Sequence, residues 1–234
     1  MVNLPNALSL GRIAAAPFIA WLPLLDSWEL RLAAFLLFVI AAVTDYVDGM
    51  LARTRGLITD LGRLLDPLAD KLLLVATFIP MYVLMTSPRD WPASLWPHLP
   101  RALPSAFEFP FRTPVGDVPL PFWVVAVVIG REIVMTIFRQ AAARRGVVIS
   151  AIGPAKWKTA FQSVWVGSAY AWFFAATLAR TEVWDANRWW RAFASFNGIV
   201  GSLTMIIAVA LTLYSLALYV ARYGSVFARA TPGR

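Results

Sequence analysis

Four aspartates stand at spacings that could assemble a reaction centre. Asp45 and Asp48 are three residues apart, and Asp66 and Asp70 are four apart, so each pair shares one helix face. Both pairs adjoin long apolar runs, LAAFLLFVIAAVT before the first and KLLLVATFIPMYVL after the second. An ionised carboxylate at the centre of a membrane helix costs about 2.5–3.5 kcal/mol on insertion scales. The cost is smaller near an interface, but repulsion is added where four such charges converge. Something cationic must offset it. Hard carboxylate oxygens suit Mg²⁺, Mn²⁺ or Ca²⁺, and two divalent ions would balance four charges. A two-metal clamp also catalyses in-line displacement at phosphorus. The competing reading is a solvated salt-bridge cluster with Arg53, Arg55, Arg63 and Lys71. Two pairs on consecutive apolar helices, with Gly49, Ala52 and Gly62 between them, favour the site. Small residues let a ligand approach the backbone, although helix packing also selects them in membranes. Asp60 belongs to neither pair and is expected to cap the second of the two helices.

The elements that must position these groups are helices. Of 234 residues, 59% are hydrophobic and only 15% charged, against roughly half and about a quarter in soluble domains; the mean hydropathy is +0.66. About 20 apolar residues cross a bilayer core, and six stretches qualify: 6–25, 30–52, 62–86, 121–145, 155–180 and 196–222. The expected architecture is an all-α integral membrane protein of six transmembrane helices, forming a single domain over 1–234. Arg12 interrupts the first stretch, which reads as a retained helix rather than a removed signal. Residues 87–121 hold nine of the sixteen prolines and two tryptophans, which suits an extended loop at one membrane face.

Several function classes are excluded or disfavoured. There is no cysteine and a single histidine, His98 in the proline-rich loop, so thiolate chemistry is absent and histidine-based metal or triad chemistry is disfavoured. The formal charge of +8 forms no basic stripe of the kind that binds nucleic acid. With the N-terminus in the cytoplasm, the cytoplasmic side gathers twice as many lysines and arginines as the other, among them Arg53, Arg55, Arg63, Arg139, Arg144, Arg145, Lys156 and Lys158. The positive-inside bias therefore places both termini, and the aspartates, at the cytoplasmic face. The excess positive charge beside the aspartates suits anionic lipids and phosphorylated substrates.

Written out, the stretch is Asp45-x2-Asp48-Gly49-x2-Ala52-Arg53-x8-Gly62-x3-Asp66-x3-Asp70. It resembles, at all eight specified positions, the signature of the CDP-alcohol phosphotransferases, and the six-helix layout resembles that family across most of the chain. The resemblance implies a membrane enzyme that displaces CMP from a CDP-linked lipid with an alcohol. It implies that Asp45, Asp48, Asp66 and Asp70 hold two divalent cations, Mg²⁺ or Mn²⁺, and that Asp70 also takes the proton of the attacking hydroxyl. Gly49, Ala52, Arg53 and Gly62 would line the pocket for the CDP-lipid. A homodimer is implied by the resemblance alone, and the expected location is a bacterial inner membrane.

Three looser stretches, NLPNALSLGRI, LLDPLADK and GREIVMTIFRQAAARRGVVISAIGPAKWKT, look like the phosphatidylglycerophosphate synthase branch. The donor would be CDP-diacylglycerol and the acceptor glycerol 3-phosphate. Arg131 and Arg139 lie eight apart, within about 80° of each other on a helix. They could bind the acceptor phosphate as forks, with Lys158 as a point charge. Glu132 reads as an ion-pair partner, and Arg144, Arg145 and Lys156 as topology and headgroup contacts. Inositol phosphate as acceptor, or cardiolipin synthesis, remains open within the family. A cation transporter is the alternative of another class, disfavoured because no internal repeat echoes the aspartate stretch.

Overall fold

The computed structural model describes residues 4–54, 59–86, 109–147, 153–184 and 187–223. His98, most of the proline-rich loop and the side chains of Gly49, Ala52, Arg53 and Lys156 lie outside them. Six helices follow in order: α1 (Leu4–Trp21), α2 (Trp28–Thr54), α3 (Asp60–Met85), α4 (Phe122–Ala143), α5 (Gly153–Thr181) and α6 (Arg188–Tyr223). Each overlaps most of one of the six expected stretches, with shifted ends. Among the described residues, four helical segments are long and apolar enough to cross a membrane: Asn6–Leu24, Trp28–Asp48, Leu65–Met85 and Arg188–Tyr223. α4 and α5 carry more charge, including Arg131, Glu132, Arg139 and Lys158.

Local chemistry sets the boundaries. Pro5 sits in the first turn of α1, where its missing amide costs nothing. Pro17 and then Pro23 end that helix through a 3-10 turn over Leu22–Leu24. The cap of α3 is Thr59 and not Asp60: Thr59 has extended backbone, and its hydroxyl accepts from the Gly62 amide at 3.0 Å. Asp60 is already the first helical residue, a position that cannot reach back over its own first turn. α6 starts eight residues before the expected stretch because Asn187 caps it, Oδ1 accepting from the amides of Trp189 (2.9 Å) and Trp190 (3.5 Å).

α5 is the central column. Trp165, Tyr170 and Phe173 on it are fully buried, and it packs against α2, α6 and, more lightly, α3. The Tyr170 hydroxyl lies 3.1 Å from the Ile19 carbonyl of α1 and 3.3 Å from the Ala76 carbonyl of α3. α1 packs against both α2 and α3, whereas those two make little direct contact among the described residues. α4 lies against α6 and α3. The outward faces carry large exposed apolar side chains such as Phe18, Ile40, Ile79, Ile137 and Ile206, as a lipid-facing surface requires.

The end remote from the aspartates is closed by a hairpin. β1 (Phe111–Thr113) pairs antiparallel with β2 (Gly116–Val118), within what reads from sequence as unstructured loop. β1 lies directly on α6, where a Cβ on Gly198 would meet the Arg112 backbone and one on Gly201 would meet the Phe111 ring. Only glycine permits that approach. Nearby, Arg31 is 1% exposed, donates from Nε to the Pro23 carbonyl at 3.0 Å and from Nη1 to Thr177, and lies over the Phe109 ring at 4.8 Å.

Candidate active site

The two aspartate pairs converge around one side chain that the spacing argument did not single out. Arg12 of α1 is 2% exposed and ion-paired to Asp45, to Asp48 at 2.9 Å, to Asp70 at 3.2 Å and to Asp66 at 3.9 Å. A turn bringing α2 directly onto α3 is the simplest way to join the pairs. In the structure α1 lies between those helices, so the pairs meet across α1 and through its guanidinium. Asp48 is buried, while Asp45, Asp66 and Asp70 are about half exposed.

α1 presents a whole polar stripe to this region. Asn6, Ser9 and Arg12 recur every three residues and are all buried, one above the next on one face. Ser9 donates to Asp66 at 2.6 Å, and Asn6 accepts from the Thr59 hydroxyl at 3.0 Å. The same Asn6 accounts for Gly62, where a Cβ would stand 2.8 Å from Asn6 Oδ1. The sequence signal was present: three polar residues at helical spacing in an otherwise apolar first helix.

A cavity of about 580 Å³ opens beside the carboxylates. Asp45, Asp66, Asp70 and Lys71 contribute to one side; Glu132, Arg139, Lys158 and Gln162 contribute from α4 and α5. Phe38, Leu73, Leu74, Phe78 and Val166 complete it with apolar surface. Arg139 and Lys158 thus share one cavity with the aspartates. Arg131 is not on its lining: it is buried, bonds Glu132 at 2.7 Å and Ser215 of α6 at 3.1 Å, and lies 6.0 Å from the Tyr219 ring centroid. Arg139 approaches the same ring at 5.9 Å. Glu132 also accepts from Lys158, so the ion-pair role read for it matches its contacts.

The donor set suits divalent metal. Four carboxylates face one guanidinium, leaving three formal negative charges, and their oxygens are of the hard kind Mg²⁺ and Mn²⁺ prefer. As placed around Arg12, no three His, Cys, Asp or Glu among the described residues are gathered tightly enough to grip one ion.

The chain matches the family model for CDP-alcohol phosphatidyltransferase over residues 2–229, and it belongs to that family. It is a membrane protein. It is 32% identical over 228 residues to the CDP-diacylglycerol–glycerol-3-phosphate 3-phosphatidyltransferase 1 (chloroplastic/mitochondrial) of Arabidopsis thaliana, covering 94% of this chain and 62% of that one. It is 33% identical over 180 residues to the CDP-diacylglycerol–glycerol-3-phosphate 3-phosphatidyltransferase of Bacillus subtilis, covering 72% and 76%. To the cardiolipin synthase (CMP-forming) of Oryza sativa it is 34% identical over 167 residues, covering 69% and 44%. The chain therefore spans less than two thirds of the length of both plant relatives.

Proposed function

We propose that this protein transfers the phosphatidyl group of CDP-diacylglycerol to glycerol 3-phosphate, giving phosphatidylglycerophosphate and CMP. The observation that carries this is the single cavity shared by Asp45, Asp66 and Asp70 with Arg139 and Lys158, a proton acceptor beside a phosphate-binding wall. The names of the Arabidopsis and Bacillus relatives point the same way. In the reaction the free terminal hydroxyl attacks the lipid-side phosphorus, a new P–O bond forms, and the bridging P–O bond breaks to release CMP. Asp70 takes the hydroxyl proton. Arg139 and Lys158 hold the acceptor phosphate, with Arg131 behind them fixing Glu132. On the family resemblance, Gly49, Ala52, Arg53 and Gly62 would serve the CDP-lipid. Asp45, Asp48, Asp66 and Asp70 would hold two divalent cations, whose charge would offset that of the pyrophosphate and of the leaving CMP.

This activity sits in one membrane domain of six spans over 1–234. α4 and α5 span as well, their charges turned inward where Glu132 meets Arg131 and Lys158 and so kept from lipid. Charge asymmetry supports both termini and the cavity facing the cytoplasm; the bacterial inner membrane and the homodimer rest on the family resemblance alone.

The deciding experiment is CMP release by purified protein in detergent with CDP-diacylglycerol and Mg²⁺ or Mn²⁺. Glycerol 3-phosphate, inositol phosphate and phosphatidylglycerol are offered separately. Release with glycerol 3-phosphate alone is expected. Release with phosphatidylglycerol instead would establish the cardiolipin reading, which the rice relative favours. Failure with every acceptor, together with cation flux in vesicles, would return the aspartates to a transport path.

Arg139→Ala raises the KM for glycerol 3-phosphate by about tenfold or more, the worth of one charge-assisted hydrogen bond, and leaves the KM for CDP-diacylglycerol nearly unchanged. Steady-state kinetics with each substrate varied in turn checks this. Equal rises in both would make Arg139 structural.

A further inference from the structure

Gln162 holds a buried amide nitrogen that bonds nothing among the described residues. It lies on α5 one turn beyond Lys158, is 7% exposed, and lines the cavity. Its Nε2 is shielded from solvent and has no hydrogen-bond partner among the described residues. Leaving a buried donor unmatched costs about 1–3 kcal/mol, and folded proteins keep few such groups. Two hydroxyls on the same wall are already committed to backbone carbonyls. The Thr77 hydroxyl bonds the Leu73 and Leu74 carbonyls, and the Thr136 hydroxyl bonds the Glu132 carbonyl. Around Gln162 the wall turns apolar with Phe78 and Val166.

An amide N–H can donate to a hydroxyl oxygen as well as to a phosphate, so the group it meets is the one its neighbours leave over. Glycerol 3-phosphate presents three functions to the cavity. On the reading above, its phosphate belongs to Arg139 and Lys158, and its reacting hydroxyl to Asp70. The middle hydroxyl is left. We infer that Gln162 is the specificity-determining residue for that middle hydroxyl, with Nε2 donating to its oxygen, so that the site selects acceptor phosphates carrying a vicinal diol. The inference rests on the acceptor reading of the proposed function.

The test compares sn-glycerol 3-phosphate with 3-hydroxypropyl phosphate, the same molecule without its middle hydroxyl, in CMP release by wild type and by Gln162→Met. Wild type is expected to favour glycerol 3-phosphate by about tenfold or more in kcat/KM, since a site that hydrogen-bonds a substrate hydroxyl rejects the analogue lacking it. In Gln162→Met the ratio falls close to one, by loss on glycerol 3-phosphate alone, with the KM for CDP-diacylglycerol unmoved. The melting temperature of the free protein does not fall, because Nε2 bonds nothing among the described residues. A wild-type ratio near one overturns the inference without any variant, and so does a ratio that survives in Gln162→Met. Both outcomes leave the acceptor reading standing if glycerol 3-phosphate is consumed. Consumption of neither acceptor by wild type removes that reading and this one with it. A lowered melting temperature with the ratio intact makes Gln162 a packing residue.

Discussion

Asp70→Asn lowers turnover with glycerol 3-phosphate by about 10²–10⁴-fold, the usual contribution of a positioned general base, in a protein that remains folded. Asp70 is suited to this loss because it is available. Its carboxylate is 61% exposed, lines the cavity, and touches Arg12 at 3.2 Å, longer than the 2.9 Å bond that Arg12 makes to buried Asp48. Asparagine has the same shape and can still accept from Arg12, so the packing of α1 on α3 survives. It cannot take a proton from an attacking hydroxyl, and it removes one formal charge from the cluster. The measurement is CMP release at saturating concentrations of both substrates, with the melting temperature recorded beside it. Turnover close to wild type in folded Asp70→Asn would move the base to another carboxylate, with Asp45 and Asp66 the candidates on the same lining.

The helices were legible because hydropathy alone defines them: each of the six expected stretches lies mostly within one helix, with shifts at the ends where caps decide. Thr59 and Asn187 set two of those ends through side-chain hydrogen bonds to first-turn amides, and such bonds are local choices that apolar periodicity cannot see. The hairpin over 111–118 was hidden for a related reason. Its strands are three residues each, too short for alternation to register, and they are held by contact with Gly198 and Gly201 of a helix some 80 residues later. The carboxylates were legible from spacing, since i,i+3 and i,i+4 acids on an apolar helix have few uses. What spacing could not give was which helix separates them. Nothing in Asp45–Asp70 indicates that α1 lies between α2 and α3; that is recorded in Asn6, Ser9 and Arg12, which read singly as an interrupted apolar run. Gln162 was illegible altogether. A glutamine on a helix is ordinary until the structure buries it against a cavity without a partner.

Arg12 carries the second large effect. Arg12→Ala lowers the stability of the protein by about 3 kcal/mol or more, because breaking a buried pair leaves an uncompensated charge behind. The buried partner is Asp48, 5% exposed; the three half-exposed carboxylates lose less individually, since water still reaches them, but they now face one another with no cation between. For a chain of this size that loss is on the order of 10 °C in melting temperature. Arg12→Lys recovers part of it, as a point charge satisfies one or two carboxylates where the guanidinium fork meets four. The informative arm adds Mg²⁺ or Mn²⁺. If the same oxygens receive both the guanidinium and the divalent ions, the ions stabilise Arg12→Ala more than wild type, because in the variant they meet no competing cation. Binding at about a hundred times the dissociation constant is worth roughly 2.7 kcal/mol, enough to return most of the lost melting temperature. Equal stabilisation of both proteins would place the ions away from these four aspartates, and Arg12 would then be their counter-charge among the described residues.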